Sequence, residues 1–288
     1  MRAECPHFFV LLRSTRMKRV LNILKRFVIV LLLTATTQVG GLVYLLWLSL
    51  QRFLPQGHYK LQRSLIKGGS FVILYLLFTL AIIPPLASAF GRVPLSITKH
   101  GAIRPARSYT WILNRHYVNR EMLELLSSVA TDERFEPGYI LYLDACFPFI
   151  DGFPLLPHLS HKDGKKVDLA FFYKDQEGKP LHNFSPSLIG YGVFADGNAN
   201  PTADRCKEAG YWQYNILGKL MSPFPNASAE LDTQNTRRLL ELLNQSSTTS
   251  KIFIEPYLKS RLLPQGNKIR FHGCHSVRHD DHIHLEIH

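Results

Sequence analysis

Thirteen histidines stand in the 288-residue chain, and six of them crowd between His272 and the last residue. The densest stretch is His282-Ile-His-Leu-Glu-Ile-His288. As a strand, its side chains alternate between two faces. Ile283, Leu285 and Ile287 share one face, and His282, His284, Glu286 and His288 share the other. Two imidazoles at i and i+2 stand side by side, so one can hold a metal while the other approaches it. The plainer reading of the same spacing is an amphipathic strand with a polar outer face. A second stretch, His158-Leu-Ser-His-Lys-Asp-Gly-Lys-Lys-Val-Asp168, sets His161 and Asp168 on either side of a turn that Gly164 supplies, with a strand beginning near Val167. Two histidines and one aspartate around an ion, with a fourth position open, are the ligand set of a catalytic rather than a structural zinc site. Nitrogen and oxygen donors also suit other first-row metals, and zinc is favoured for hydrolysis.

These residues need a scaffold, and its elements are legible from about Ser108 onward. Asn119 reads as an N-cap, with Glu121 in the first turn and Met122, Leu125, Leu126 and Val129 at helical spacing. Thr233 to Asn244 reads as a second helix whose apolar face is Leu239, Leu240, Leu242 and Leu243. Tyr139–Leu143, Val167–Tyr173, Lys251–Glu255 and His282–His288 read as strands. Residues 178–225, rich in Gly, Pro and Asn, read as surface excursions. Helices and strands mix without a βαβ rhythm, which gives an α+β class with a small, mostly antiparallel sheet and flanking helices.

Charge divides the chain. Of 34 Lys and Arg, 15 lie in residues 1–110 against a single acid, Glu4, while residues 111–288 carry 19 against 21 acids. The globular part is therefore not basic, which argues against nucleic acid as a partner. The basic part brackets two uncharged runs, Phe27–Leu50 and Gly68–Gly91, each 24 residues long. As helices they would reach about 36 Å, enough for a hydrocarbon core of about 30 Å. The expected organisation is a basic segment 1–26, a transmembrane segment 27–50, a basic loop 51–67, a second transmembrane segment 68–91 ended early by Pro84-Pro85, a linker 92–110 and a catalytic domain 111–288. The first run is the poorer one, with Thr34, Thr36, Thr37, Gln38, Gly40 and Gly41 in its middle. Seven basic residues precede the first run, four lie between the runs and four follow closely. Counted literally, that places the domain in the cytoplasm; a single crossing would deliver it outside.

The H-x-S-H-x-x-G-x-x-V-D and H-x-x-H-x-H patterns resemble those of the penicillin-insensitive murein endopeptidases. The residues concerned are His158, His161 and Asp168, then His279, His282 and His284. Lys251–Leu262 and the stretch Leu143-Asp-Ala-Cys-Phe-Pro148 are also similar. The family's fold is shared by lysostaphin, the D-Ala-D-Ala metallopeptidases and hedgehog. The resemblance runs from about Tyr117 to the C-terminus, with residues 178–214 poorly matched. It implies one Zn²⁺ held by His161, Asp168 and His284. It also implies His282 as catalytic base, His279 assisting, and His158 near the metal. The implied activity is hydrolysis of amide bonds in peptidoglycan cross-link peptides. The chain would be anchored in the lipid of the cytoplasmic membrane by its N-terminal helices, with a periplasmic domain. A carboxypeptidase or dipeptidase acting on stem peptides, or an inactive metal-binding module, would share the site. Two positions depart from the family: Lys166 stands where an acid is frequent, and Glu286 where a basic residue is expected.

Lesser candidates surround the motifs. Asp144 either orients a ligand histidine or ends its strand as a turn residue. His272 and His275 read as a solvated loop, and Trp212 with Tyr211 and Tyr214 as core packing rather than a substrate wall. Of Cys5, Cys146, Cys206 and Cys274, none has metal-binding spacing, and Cys206–Cys274 is the one pairing suggested for an oxidising compartment. Asn226-Ala-Ser228 matches a glycosylation sequon.

Overall fold

A computed structural model of the chain describes residues 6–55, 57–195, 200–215, 229–262, 264 and 266–288, with side chains from residue 16 onward. It divides into two compact units, Met1–Ala81 and Ile82–His288. The sequon at Asn226 lies outside the described residues.

In the first unit the run Phe27–Leu50 is not one helix. A helix Pro6–Thr37 ends, and a second, Gly40–Leu50, begins after a reversal. Gln38 takes a positive φ of 65°, and the Thr37 hydroxyl accepts the Gly40 N–H at 2.7 Å. A Cβ on Gly41 would stand 2.1 Å from Thr34 Oγ1 and 2.7 Å from the Val30 carbonyl. Small residues thus let the second helix press its backbone onto the first. The polar and glycine positions that made this run poor are the ones that break it. The two helices long and apolar enough to cross a membrane are Arg16–Thr37 and Lys60–Ser88. The second is not ended by Pro84-Pro85. It passes through a π-helical turn at Phe78–Ile82 and continues to Ser88, because a widened turn accommodates the two missing N–H donors.

The second unit is α+β. Among its described residues ten strands occur: β1 Val93–Pro94, β2 Ile103–Pro105, β3 Tyr117–Val118, β4 Ile140–Asp144, β5 Lys166–Ala170, β6 Tyr173–Lys174, β7 Glu230–Leu231, β8 Thr249–Phe253, β9 Ile269–Arg270 and β10 His282–Ile287. Six form one mixed sheet in the order β2-β4-β5-β10-β8-β9. The four central strands pair antiparallel, and both edge strands join in parallel. Two short ribbons, β1 with β3 and β6 with β7, flank it. Residues 92–110 are therefore not a free linker, since they supply β1 and the edge strand β2.

The helix Arg120–Ala130 starts where Asn119 accepts the Met122 N–H at 2.9 Å, and the helix Thr233–Gln245 where Asp232 accepts the Asn235 N–H at 3.0 Å. Their leucines, Leu125 and Leu126 with Leu239 and Leu243, join Ile283, Leu285 and Ile287 of β10 in one buried cluster. The other face of β10 is not a solvated polar face. His282 and His284 are 1% and 3% exposed, so the amphipathic-strand reading fails and a covered polar chamber takes its place.

Candidate metal centre

The chamber is built on one cross-strand pair. In the antiparallel β5–β10 register Asp168 lies opposite His284, and side chains directly opposite on one face meet. The loop from His158 to Lys166 brings in the rest. Gly164 turns it at φ 76°, and the His158 carbonyl accepts the His161 N–H at 3.0 Å. Three atoms converge as a result. His161 Nε2 is 3.1 Å from Asp168 Oδ1, His284 Nδ1 is 2.8 Å from the same oxygen, and the two ring nitrogens are 3.2 Å apart. His158, His161 and Asp168 each also present a ligand atom within 4.8 Å of the other two, and all three are buried. His158 approaches from the opposite side, with Nδ1 2.5 Å from Asp168 Oδ2.

The donor set fits a cation. His161 Nδ1 lies 3.0 Å from the Ala145 carbonyl. A carbonyl only accepts, so in the neutral ring Nδ1 carries the hydrogen and Nε2 is left as a lone pair. That lone pair faces a carboxylate oxygen at contact distance, two acceptors that a shared ion would reconcile. Donors about 2.0–2.2 Å from one tetrahedral ion stand roughly 3.3–3.5 Å apart, close to the 2.8–3.2 Å observed.

Charges in the chamber are set by burial and by one another. Burial opposes ionisation of Asp168, but His161, His158 and His282 outweigh it and hold the carboxyl well below its usual range. Burial lowers His161 more than Asp168 raises it. His279, buried and beside His282 and His284, is held well below the ordinary histidine value and stays neutral. In His284 burial is overcome by hydrogen bonding to Asp168 and Glu286, and the pKa rises to about 9.

His282 stands beside the ligand group. Its Nε2 is 3.8 Å from Asp168 Oδ1, and its Nδ1 is paired with the carboxylate of Asp281. Asp281 in turn accepts the Gly192 N–H at 2.5 Å. His279 packs its ring 4.9 Å from that of His282, and Glu255 fixes its backbone by accepting the His279 N–H at 3.2 Å.

Asp144 is fully buried, but it serves Arg115, whose Nε donates to it at 2.9 Å. The nearest site histidine to it is His158, at 3.8 Å. His272 and His275 are exposed without being free in solvent. His272 stacks on Phe253 at 4.2 Å and lies 5.2 Å from His279, and His275 meets the Tyr211 hydroxyl at 3.3 Å. Tyr214 is core, donating to Glu255 at 2.6 Å, whereas Trp212 is 70% exposed and contradicts the packing expectation. Cys206 and Cys274 form a disulfide, and Cys146 is free and buried.

Residues 178–215 supply what sequence patterns missed. Tyr191, read as part of a surface excursion, is 4% exposed and donates its hydroxyl to Asp168 Oδ2 at 2.9 Å. Asn200 is 1% exposed and donates to Glu255 at 3.1 Å. Only Asp281 carried a signal, its place immediately before a site histidine. A cleft of about 400 Å³ opens onto the group, lined by His158, Leu159, Gln213, His275, Val277 and His282 among others.

No protein-family description matches the chain, and no curated protein matches it.

Proposed function

We propose that the chain is a membrane-anchored zinc peptidase that hydrolyses amide bonds in peptidoglycan cross-link peptides, on the fold of the D-Ala-D-Ala metallopeptidases and hedgehog. The observation that carries this reading is the convergence of His161 Nε2, Asp168 Oδ1 and His284 Nδ1 within 3.2 Å beside a carboxylate-paired histidine. His161, Asp168 and His284 would hold the ion, with His158 braced against the far oxygen of Asp168. A zinc ion there supplies a Lewis acid for the scissile carbonyl and makes water acidic enough to ionise near neutral pH.

The protein's own part is proton handling. His282, with Nδ1–H given to Asp281, keeps Nε2 free to take a proton from the attacking water. The same nitrogen then returns that proton to the departing amine, so the pair of steps balances. Tyr191 donates to Asp168 and stays a neutral phenol, because burial and the Asp168 charge push its pKa well up. The Cys206–Cys274 disulfide supports an oxidising compartment and therefore a periplasmic domain.

The experiment is a pair of variants assayed for bound metal and for cleavage of purified cross-linked muropeptides, with products read by mass. His282→Ala should keep the metal and lose hydrolysis, and His284→Ala should lose both. Release of a terminal amino acid instead of separation of the two strands would make the enzyme a carboxypeptidase. Parent-level turnover by His282→Ala would remove the assigned base.

A further inference from the structure

The chain leaves its second apolar helix through a built junction. Phe90 N–H donates to the Ala87 carbonyl at 2.9 Å, Gly91 N–H to Ser88 at 3.1 Å and Arg92 N–H to Ala87 at 3.0 Å. With Gly91 at φ 70°, the last two are the paired bonds of a Schellman stop, which needs a residue free to take the left-handed conformation. Arg92 then buries its side chain and pairs with Asp151. Its guanidinium lies so close to Gly164 that an added Cβ there would be 2.5 Å from Nη1. Val93 and Pro94 follow directly as β1. Phe90 is therefore held two residues beyond the helix end, and Phe149 packs edge-on against it at 5.2 Å. Phe90, and Ile150 which follows Phe149 in the chain, are each 59% exposed.

A helix whose uncharged run is bounded by Lys67 and Arg92 ends at the headgroup boundary, where side chains such as Phe and Leu bury into the edge of the acyl region. Because the junction is fixed by bonds, the loop that Phe90 touches stands at the same level. We propose that Phe90, Phe149 and Ile150 form a lipid-docking patch that seats the folded unit on the bilayer surface beside the helix exit. The proposal rests on the membrane-anchored part of the reading above. Lipid is the occupant because the patch is continuous along the chain with a helix apolar enough to span, and because Arg92, the charge that follows Phe90 in the chain, is paired with Asp151. The patch is also tied to the ligand loop. Gly152 N–H donates to the Lys162 carbonyl at 2.8 Å, and Arg92 braces Gly164, so lipid contact fixes how far the His158–Asp168 loop stands from the membrane.

The test uses the full chain in vesicles of phosphatidylethanolamine and phosphatidylglycerol, with Cys5→Ser and one new cysteine carrying a nitrobenzoxadiazole label. Cys146 is buried and the other two cysteines are bonded to each other, so the new thiol is the one that reacts. A label at Ile150→Cys should lose emission when the vesicles contain a headgroup-nitroxide lipid. A label at Glu177→Cys, an exposed position, should keep its emission. Equal behaviour at 150 and 177 overturns the docking patch. Ile73→Cys monitors insertion with a mid-chain nitroxide. Quenching at 73 without quenching at 150 refutes the docking alone, and no quenching at 73 removes the membrane anchor and the patch with it.

Discussion

Asp168 does two jobs on two oxygens. Oδ1 faces His161 and His284, while Oδ2 takes His158 at 2.5 Å and the Tyr191 hydroxyl at 2.9 Å. A carboxylate satisfied on its far side keeps its near oxygen aimed, which is how groups behind a ligand govern affinity. Asp281 plays the corresponding part for His282. Its carboxylate pairs with Nδ1 and, in the proposed reaction, would decide which nitrogen meets the substrate. Asp281→Asn preserves the shape of this contact while removing its charge. On the proposed reaction, turnover should fall by about 10²–10⁴-fold, the range of a lost general base, with metal content unchanged. Loss of metal together with activity would instead make Asp281 a support of the ligand group.

At the scale of elements, the site is a matter of register. Asp168 meets His284 because β5 and β10 pair as they do, and a slip of one residue would put them on opposite faces. The turn at Gly164 completes the arrangement, and Gly164→Ala tests it. An alanine must adopt φ 76° and also displace the buried guanidinium of Arg92. The expected cost is about 1–3 kcal/mol of stability, read by thermal unfolding, together with weaker metal retention in a chelator competition. Retention equal to the parent's would show that the loop holds its ligands without Arg92. Much of this scaffold was legible in the chain. The alternation in 282–288 and the leucine face of 233–244 obey periodicities that any exposed or buried element must satisfy, and Asn119 stood out as a cap by its residue type, whereas the cap at Asp232 came only with the structure. Tyr191 and Asn200 were illegible because they reach the site from irregular backbone, where no period ties side-chain direction to sequence. The hairpin at Gln38 was half legible: its residues stood out as poor for a span, but a left-handed turn leaves no period behind it.

For the whole folded unit, burial sets a dependence on acid that the metal group does not explain. His116 is 2% exposed, its ring lies 4.4 Å from that of Tyr117, and its Nδ1 has no hydrogen-bond partner among the described residues. Burial alone pushes its pKa down to about 3, so the folded protein holds this ring neutral where the unfolded chain, titrating near 6.5, takes up a proton. Above that value the two states bind equally and His116 contributes no slope. As the pH falls below it, the unfolded state binds the extra proton and gains stability, and the loss to the fold continues toward the folded-state value. At about 1.4 kcal/mol for each unit of pH, roughly 2 kcal/mol should disappear between pH 6.5 and about pH 5. His116→Phe retains a ring of similar size and removes the titration. Unfolding of the chelator-treated protein and of this variant, followed by near-ultraviolet circular dichroism across that window, should give curves that converge as acid is withdrawn and separate as it is added. The carboxylates and site histidines titrate in both proteins, so the difference isolates His116. Curves that stay parallel would mean that the ring meets water or a partner before unfolding, and that the ribbon of β1 and β3 beside it opens locally in acid.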